Sequence, residues 1–191
     1  MLNLGDPIAV MLAASAAFDR AGLEAAAYGG LVVAMYGRAR ETQDADLATV
    51  NASVDGAQEA LAVAGLTVVR TFTEVAFGGC TLSRLTLIGD GEFNTIDLVR
   101  PRSERYRFAT LGRALTGTLR GETLRVVSPE GTVLLKVLTT RERDLEDAQS
   151  AVQKHRDGLD LALLEREVAL FAREIADHDV TGRYRRVMAG A

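Results

Sequence analysis

Sulfur and large aromatic side chains are scarce in this sequence. Cys80 is the only cysteine, tryptophan is absent, and aromatic residues make up 5% of the 191 positions. A single cysteine cannot form an intrachain disulfide, which excludes a disulfide-stapled scaffold and suits a cytoplasmic location. Cys80 and the two histidines, His155 and His178, do not match the spacing of a zinc site or a catalytic triad, so we expect them to be structural.

Long apolar runs are absent as well. No segment reaches the roughly 20 consecutive apolar residues that cross a bilayer, so we expect no membrane partner. The alanine-rich segment 7–21 follows Asp6 rather than a basic stretch, and we therefore interpret it as an amphipathic helix and not as a signal peptide. With 48% hydrophobic and 25% charged residues, the composition is typical of a globular protein with a sizeable core.

The charge is mildly acidic and unevenly placed. A formal net charge of −4 argues against indiscriminate nucleic-acid binding. One local group of arginines could nevertheless engage a phosphate chain, or it could be a solvated surface. This arginine cluster consists of Arg100, Arg102, Arg105 and Arg107.

Side-chain periodicity and turn residues predict alternating helices and strands. An Asp-Gly pair between two apolar runs predicts a hairpin of strands 81–88 and 93–99, and a second hairpin is predicted around residues 120–122. The pattern favours an α/β (α+β) fold with a mixed or largely antiparallel sheet flanked by helices. We expect one compact domain, with a core over residues 1–140 and a C-terminal helical region over residues 141–191 packed on it.

The segment 28–50 carries the densest set of candidate site residues. Gly29 and Gly30 precede a short predicted helix, where glycines let backbone N–H groups approach a phosphate; the alternative is a tight strand-to-helix turn. Asp44 and Asp46 lie two apart on a predicted strand, so their side chains share one face. Two adjacent carboxylates favour a bound cation such as Mg²⁺, unless they serve as a helix cap and a surface ion-pair partner.

Polar residues also lie between the glycines and the aspartates. We expect Arg38, Arg40 and Thr42 to lie beside a bound nucleotide, where the arginines could contact its triphosphate. The alternative is that the arginines pair with Glu41 or Asp44.

Two further charged residues occur in segments that should be buried. Asp97 stands among apolar residues of a predicted strand, where a lone charge needs an explanation, and one is an ion pair with Arg84 or Arg100. Lys136 stands on a predicted apolar helix, from which it could reach a phosphate as a point charge or snorkel to solvent.

Two patterns resemble a known family. Gly-Gly…Gly-Arg-x-Arg-x-Thr-x-Asp-x-Asp, over residues 29–46, resembles the first motif of the DNA polymerase β-type nucleotidyltransferase superfamily. It is similar, more narrowly, to bacterial nucleotidyltransferase-like proteins of the abortive-infection toxin type (AbiEii and MenT). Lys-x4-Arg-x-Arg-Asp-x2-Asp, over residues 136–147, resembles a later AbiEii motif. The resemblance implies a nucleotidyltransferase-type mixed sheet.

The resemblance also implies an activity and roles for individual residues. The protein would be a Mg²⁺-dependent enzyme that moves an NMP group from an NTP to an acceptor. Asp44, Asp46 and Asp97 would serve a two-metal site, Lys136 would neutralise phosphate charge, and Asp144 would support the site. In a toxin-type enzyme the acceptor would be RNA, such as a tRNA end, bound here through the arginine cluster, and an antitoxin protein would be a partner.

Two departures keep other functions open. Gly30 stands where many nucleotidyltransferases have serine, and the part of the chain after Asp147 is shorter than in the toxin families. The alternatives are a nucleotidyltransferase acting on a small molecule or a protein, and a catalytically inactive domain that binds a nucleotide or a partner.

Overall fold

The computed structural model describes residues 2–38 and 41–191, and a seven-stranded mixed sheet forms its centre. The strands are β1 (Ala25–Tyr28), β2 (Ala45–Thr49), β3 (Val68–Phe77), β4 (Cys80–Gly89), β5 (Glu92–Pro101), β6 (Leu115–Leu119) and β7 (Glu122–Val126). The helices are α1 (Pro7–Arg20), α2 (Gly29–Tyr36), α3 (Val54–Val63), α4 (Glu104–Gly112), α5 (Pro129–Leu138), α6 (Glu142–His155), α7 (Leu161–Glu174) and α8 (Val180–Ala189).

The sheet combines antiparallel and parallel pairs. Its spatial order is β3-β4-β5-β2-β1-β7-β6. The β2 strand pairs antiparallel with β1 and parallel with β5, and β1 pairs parallel with β7. The predicted α/β fold with a mixed sheet flanked by helices is therefore confirmed.

Local sequence signals explain the hairpins. Asp90 and Gly91 between β4 and β5 both have positive φ, at 50° and 80°. Arg120 and Gly121 between β6 and β7 repeat this pattern at 50° and 85°. Two successive positive φ angles define the turn whose twist matches that of paired strands, which is why Asp-Gly and Arg-Gly can close these hairpins.

Side-chain caps begin α1 and α5. At α1, Asp6 Oδ1 accepts a hydrogen bond from the Ile8 N–H at 3.1 Å. At α5, Ser128 Oγ accepts one from the Gly131 N–H at 3.1 Å. A proline follows each cap, where its fixed φ suits the first turn and its missing N–H costs nothing.

The α5 helix lies at the centre of the helical layer. Every residue from 131 to 138 is buried, and α6, α7 and α8 all pack against this helix. The α6 helix also contacts α2, which links the C-terminal helices to the segment that carries the candidate site. The division of the chain at residue 140 stays a prediction. Among the described residues, no helix combines the length and apolarity that crossing a membrane requires.

Candidate active site

One row of residues across four strands forms the base of the candidate site. Tyr28 of β1 lies opposite Asp46 of β2, Asp46 lies opposite Asp97 of β5, and Asp97 lies opposite Arg84 of β4. Directly opposed residues project to the same face of a sheet. This cross-strand row therefore sets two carboxylates between an aromatic ring and a guanidinium group.

Asp44 joins the row from the residue before β2. One carboxylate oxygen each from Asp44, Asp46 and Asp97 lies within 4.8 Å of the others. Asp97 is 3% exposed, whereas Asp44 and Asp46 are half-buried. Three carboxylates at this spacing are the donor set that a hard divalent cation prefers, so these residues fit a Mg²⁺ ion. We refer to them as the carboxylate triad.

The charge balance at Asp46 also fits a cation. Desolvation of its carboxylate, together with the negative charges of Asp44 and Asp97, raises the pKa of Asp46 to about 7. The positive charges of Lys136 and Arg141 lower the pKa only in part. A cation among the three carboxylates would remove the repulsion that favours the protonated form.

The sequence indicates Arg84 only as a possible ion-pair partner of Asp97. Its Nε and Nη2 donate to the two oxygens of Asp97 at 2.6 and 2.7 Å, and Nη2 lies 3.6 Å from Asp44 Oδ2. The guanidinium also lies 5.7 Å from the centre of the Phe72 ring. The turn after Gly89 contains a signal for this pairing, because counting back from a two-residue turn places Arg84 opposite Asp97.

Gly29 makes room for the Asp46 carboxylate. It has a φ of 73°, and a Cβ atom built on it would lie 1.8 Å from Asp46 Oδ2. The α2 helix begins at this residue, and Tyr28 at its N-cap makes no side-chain hydrogen bond to the first turn. Gly30 follows, buried, in that first turn. The arrangement suits the predicted phosphate cradle, because a helix start attracts anions through its N–H groups.

The polar residues between the glycines and the aspartates have different surroundings. Thr42 Oγ1 donates to Asp44 Oδ1 at 3.1 Å and so orients a member of the triad. Arg38 is exposed, and its backbone N–H donates to Ser150 Oγ at 3.3 Å. Arg40, predicted to lie beside the nucleotide, falls outside the described residues.

A cleft of about 820 Å³ borders the triad at Asp44. Thr42, Asp44 and Arg84 line it, together with the exposed ring of Phe93 and the side chain of Arg143 from α6. Its volume lies in the range of small-molecule and cofactor sites. Arg143 is a candidate phosphate contact that sequence analysis used only as part of a motif.

Lys136 and Asp144 lie together behind the cross-strand row. Lys136 is 2% exposed, and its Nζ lies 2.5 Å from Asp144 Oδ1 and 2.9 Å from Asp147 Oδ2. The same Nζ is 5.4 Å from the centre of the Tyr28 ring. Burial alone would raise the pKa of Asp144, but Lys136 and Arg141 hold that pKa below its usual value. A direct phosphate contact by Lys136 stays a prediction, and it would require the ammonium to leave a carboxylate partner.

The side chains of the arginine cluster make contacts with other residues of the protein. Arg102 Nη1 lies 2.9 Å from an oxygen of Asp177, and Arg105 Nη1 lies 2.7 Å from buried Glu167. Arg100 pairs with Glu74, and Arg107 Nε donates to the Pro101 carbonyl at 2.8 Å. Arg102 and Arg105 are nevertheless exposed, so these contacts lie at the protein surface. Their contact with RNA stays a prediction.

The fold is that of nucleotidyltransferase-like proteins. No family model matches the sequence, and no curated protein matches it. Solved structures do match. An antigenic nucleotidyltransferase-like protein from Paracoccidioides brasiliensis has a TM-score of 0.54 at 18% identity, over 94% of this chain and 92% of that one.

Two further solved structures show the same fold. ANT(2'')-Ia in complex with adenylyl-2''-tobramycin has a TM-score of 0.50 at 15% identity, over 93% of this chain and 96% of that one. JHP933 from Helicobacter pylori has a TM-score of 0.50 at 13% identity, over 95% and 87%. Such low identities establish the fold alone. The narrower resemblance to AbiEii and MenT proteins stays a prediction.

Proposed function

We propose that this protein is a nucleotidyltransferase that moves an NMP group from an NTP to a hydroxyl-bearing acceptor. The observation that carries the proposal is the carboxylate triad, with oxygens within 4.8 Å of one another beside a glycine helix start. The fold shared with nucleotidyltransferase-like proteins supports it. A domain that only bound a partner would gain nothing from three adjacent carboxylates, because their repulsion is unfavourable.

Each part of the site has a role in this reaction. The first-turn N–H groups at Gly29 and Gly30 would receive the triphosphate, and Arg38 and Arg143 would add charge contacts. Thr42 would hold Asp44 in place through its 3.1 Å hydrogen bond. The acceptor hydroxyl loses its proton to water as its oxygen bonds to the α-phosphorus, the bond from that phosphorus to the bridging oxygen breaks, and pyrophosphate leaves.

The carboxylate triad would hold the divalent cation. When bound, Mg²⁺ supplies Lewis-acid stabilisation of phosphate charge. Lys136 and Asp144 would act indirectly. The Lys136 ammonium lies against the Tyr28 ring, and Tyr28 lies opposite Asp46. We propose that these two residues position the row and that the carboxylate triad contacts the substrate complex.

The acceptor has two candidates. RNA or a tRNA end follows from the resemblance to toxin-type enzymes, with an antitoxin protein as the regulating partner. A small hydroxyl-bearing molecule is the second candidate. The internal contacts of the arginine cluster favour it, because those side chains offer less charge to an RNA backbone. The fold shared with ANT(2'')-Ia, whose structure holds adenylyl-2''-tobramycin, also supports this second candidate.

Pyrophosphate release and label transfer test the proposal together. The purified protein is incubated with Mg²⁺ and each α-labelled NTP, with either total tRNA or a panel of aminoglycosides and other polyols. We expect label in one acceptor class, and at least a 1,000-fold loss in an Asp44→Asn/Asp46→Asn variant, because metal-dependent charge stabilisation is removed.

The matched control is Asp55→Asn, which removes a carboxylate that is 81% exposed and pairs with Arg70 on the surface. This variant should retain full activity. Absence of pyrophosphate release with every NTP, combined with absence of NTP binding in calorimetry, would refute the proposal. NTP binding without transfer to any acceptor would instead support the inactive nucleotide-binding domain.

A further inference from the structure

The carboxylate triad needs a positive partner in the absence of metal. Asp46 and Asp97 are directly opposed on parallel neighbours β2 and β5, and Asp44 is close enough to share a cation with both. Like charges this close repel strongly, and burial of Asp97 weakens screening by water. Among the described residues, Arg84 makes the ion pairs of the triad, one with Asp97 and one with Asp44.

The geometry of Arg84 is that of a clamp on one carboxylate. Two nitrogens donate to the two oxygens of Asp97, which is the strongest arrangement that a guanidinium and a carboxylate can form. The Phe72 ring lies on the strand beyond, with its centre 5.7 Å from the guanidinium carbon. The side chain of Arg84 is 30% exposed and lines the cleft, whereas that of Asp97 is 4% exposed.

A divalent cation and Arg84 therefore require the same carboxylate. Each oxygen of Asp97 already accepts one N–H, although a carboxylate offers about four lone-pair sites in total. A cation bound to Asp97 would lie close to a fixed positive charge, and this repulsion opposes metal binding. Asp44 is affected less, because its oxygen is 3.6 Å from Arg84.

We propose that Arg84 takes the place of a metal ion in the metal-free protein and competes with divalent cations for Asp97. In this role Arg84 stabilises the carboxylate triad when no metal is bound, and it raises the cation concentration that is needed to occupy the site. The repulsion from a bound cation would loosen the hold of Arg84 on Asp97, and the freed guanidinium would reach further into the cleft that it lines. The inference rests on the proposed metal site, and it concerns affinity for the ion rather than transfer of the nucleotide.

Arg84→Gln tests the competition, because glutamine keeps hydrogen-bonding groups but carries no charge. Binding of Mn²⁺ alone, measured by the electron paramagnetic resonance signal of the free ion, should be roughly tenfold tighter in the variant than in the native protein. Arg70→Gln is the matched control. It removes another strand arginine, which pairs with exposed Asp55, and it should leave Mn²⁺ affinity unchanged.

Thermal unfolding provides a second measurement. In a chelator, Arg84→Gln should melt at a lower temperature than the native protein, and Mn²⁺ should raise its melting temperature more than that of the native protein. If Arg84→Gln does not fold, Arg84→Lys replaces it. A lysine cannot grip both oxygens of Asp97, so Mn²⁺ binding should again be tighter than in the native protein.

The same variants in an Asp97→Asn background identify the contested group. There the substitution of Arg84 should tighten Mn²⁺ binding much less, because the clamp has lost its carboxylate and only the charge near Asp44 remains. Equal or weaker Mn²⁺ binding by Arg84→Gln would overturn the proposal, as would equal tightening in the Asp97→Asn background or absence of Mn²⁺ binding in every variant. None of these results depends on nucleotidyl transfer, so failure of the activity assay and failure of this inference are distinguishable.

Discussion

Gly29 has no Cβ atom, and both its backbone conformation and its close approach to Asp46 depend on this absence. The residue has a φ of 73°, a region that L side chains rarely adopt, and its Cα faces the Asp46 carboxylate. Gly22 has a similar φ of 68°, but a Cβ atom there would meet nothing within 4 Å. The two glycines therefore share the conformational requirement and differ in the contact with the site.

Substitution by alanine should separate these two effects. Gly22→Ala should lower the free energy of unfolding by about 1 kcal/mol, which is the cost of the left-handed conformation alone. Gly29→Ala should lower it by about 3 kcal/mol or more, because its Cβ displaces Asp46. It should also abolish Mn²⁺ binding, which Gly22→Ala should leave intact. Urea unfolding and Mn²⁺ titration measure both quantities, and equal behaviour of the variants would exclude a special role for Gly29.

Individual site residues differ in how far the sequence reveals them. The sequence identifies Asp44 and Asp46 as a pair because side chains two residues apart on a strand project to the same face. The structure brings them together with Asp97. Only the resemblance linked Asp97 to the pair, since the parallel pairing of β2 with β5 joins residues about 50 positions apart. The position of Arg84 opposite Asp97 follows from the length of the β4–β5 turn. Strand propensity alone does not predict this pairing.

At the level of elements, buried ion pairs hold α5 against α6. Lys136 of α5 reaches Asp144 and Asp147 on α6. The chain has one other lysine, Lys154, whose Nζ donates to the Met35 carbonyl at an exposed position. The two lysines therefore offer a comparison between a buried and a solvated charge.

Lys136→Met should lower the free energy of unfolding by about 3–5 kcal/mol, because it leaves buried Asp144 without its nearest cation. Lys154→Met should change this free energy by less than about 0.5 kcal/mol. Denaturant unfolding in a chelator measures both. If Lys136→Met kept native stability and lost NTP binding, the direct phosphate contact expected from the sequence would replace this structural role.

Acid should weaken the same junction. Lys136 and Arg141 hold the pKa of Asp144 below its usual value of 3.8 despite burial. A carboxylate with a lowered folded pKa contributes stability above its unfolded pKa, and this contribution is lost as pH falls through the folded value. We expect the free energy of unfolding to fall steeply below about pH 4, and the fall to be shallower in Asp144→Asn. An identical slope in both proteins would show that other carboxylates dominate.

Elements with strong local signals lie where the sequence predicts them. The capped helix α1 and the two hairpins are close to their predicted positions. The β3 strand runs on through Glu74, which is exposed with a φ of 49°, because pairing with β4 continues to Phe77.

At the scale of the whole molecule, α8 ties the C-terminal helices to the loop between α5 and α6. Arg183 donates to the carbonyls of Val137 at 3.1 Å and Arg141 at 3.0 Å. The Val137 carbonyl belongs to the last turn of α5, and the Arg141 carbonyl directly precedes α6. These two helices carry the buried ion pairs of Lys136. The order of the seven strands is likewise a property of the whole molecule, since β1 pairs in parallel with distant β7 and no local pattern contains that partner.

Arg183→Ala should lower the free energy of unfolding by about 2 kcal/mol, because it leaves backbone carbonyls without their charged donor. Arg185→Ala is the matched control, since Arg185 is exposed two residues further along α8, and it should change stability by less than about 0.5 kcal/mol. Urea unfolding measures both variants. A similar small loss in each would mean that solvent replaces the Arg183 contacts without cost.

The two-residue turn between β4 and β5 determines which residues of these strands lie opposite each other at the site. Gly89 opposite Glu92 fixes the register that brings Arg84 opposite Asp97, about 20 Å along the strand from Gly91. A slip of one residue would turn every side chain of β4 to the opposite face, and Arg84 would leave the cleft. An exposed loop thus decides whether the triad has its counter-charge, and an insertion that shifted the pairing of β4 with β5 by one residue would remove that charge.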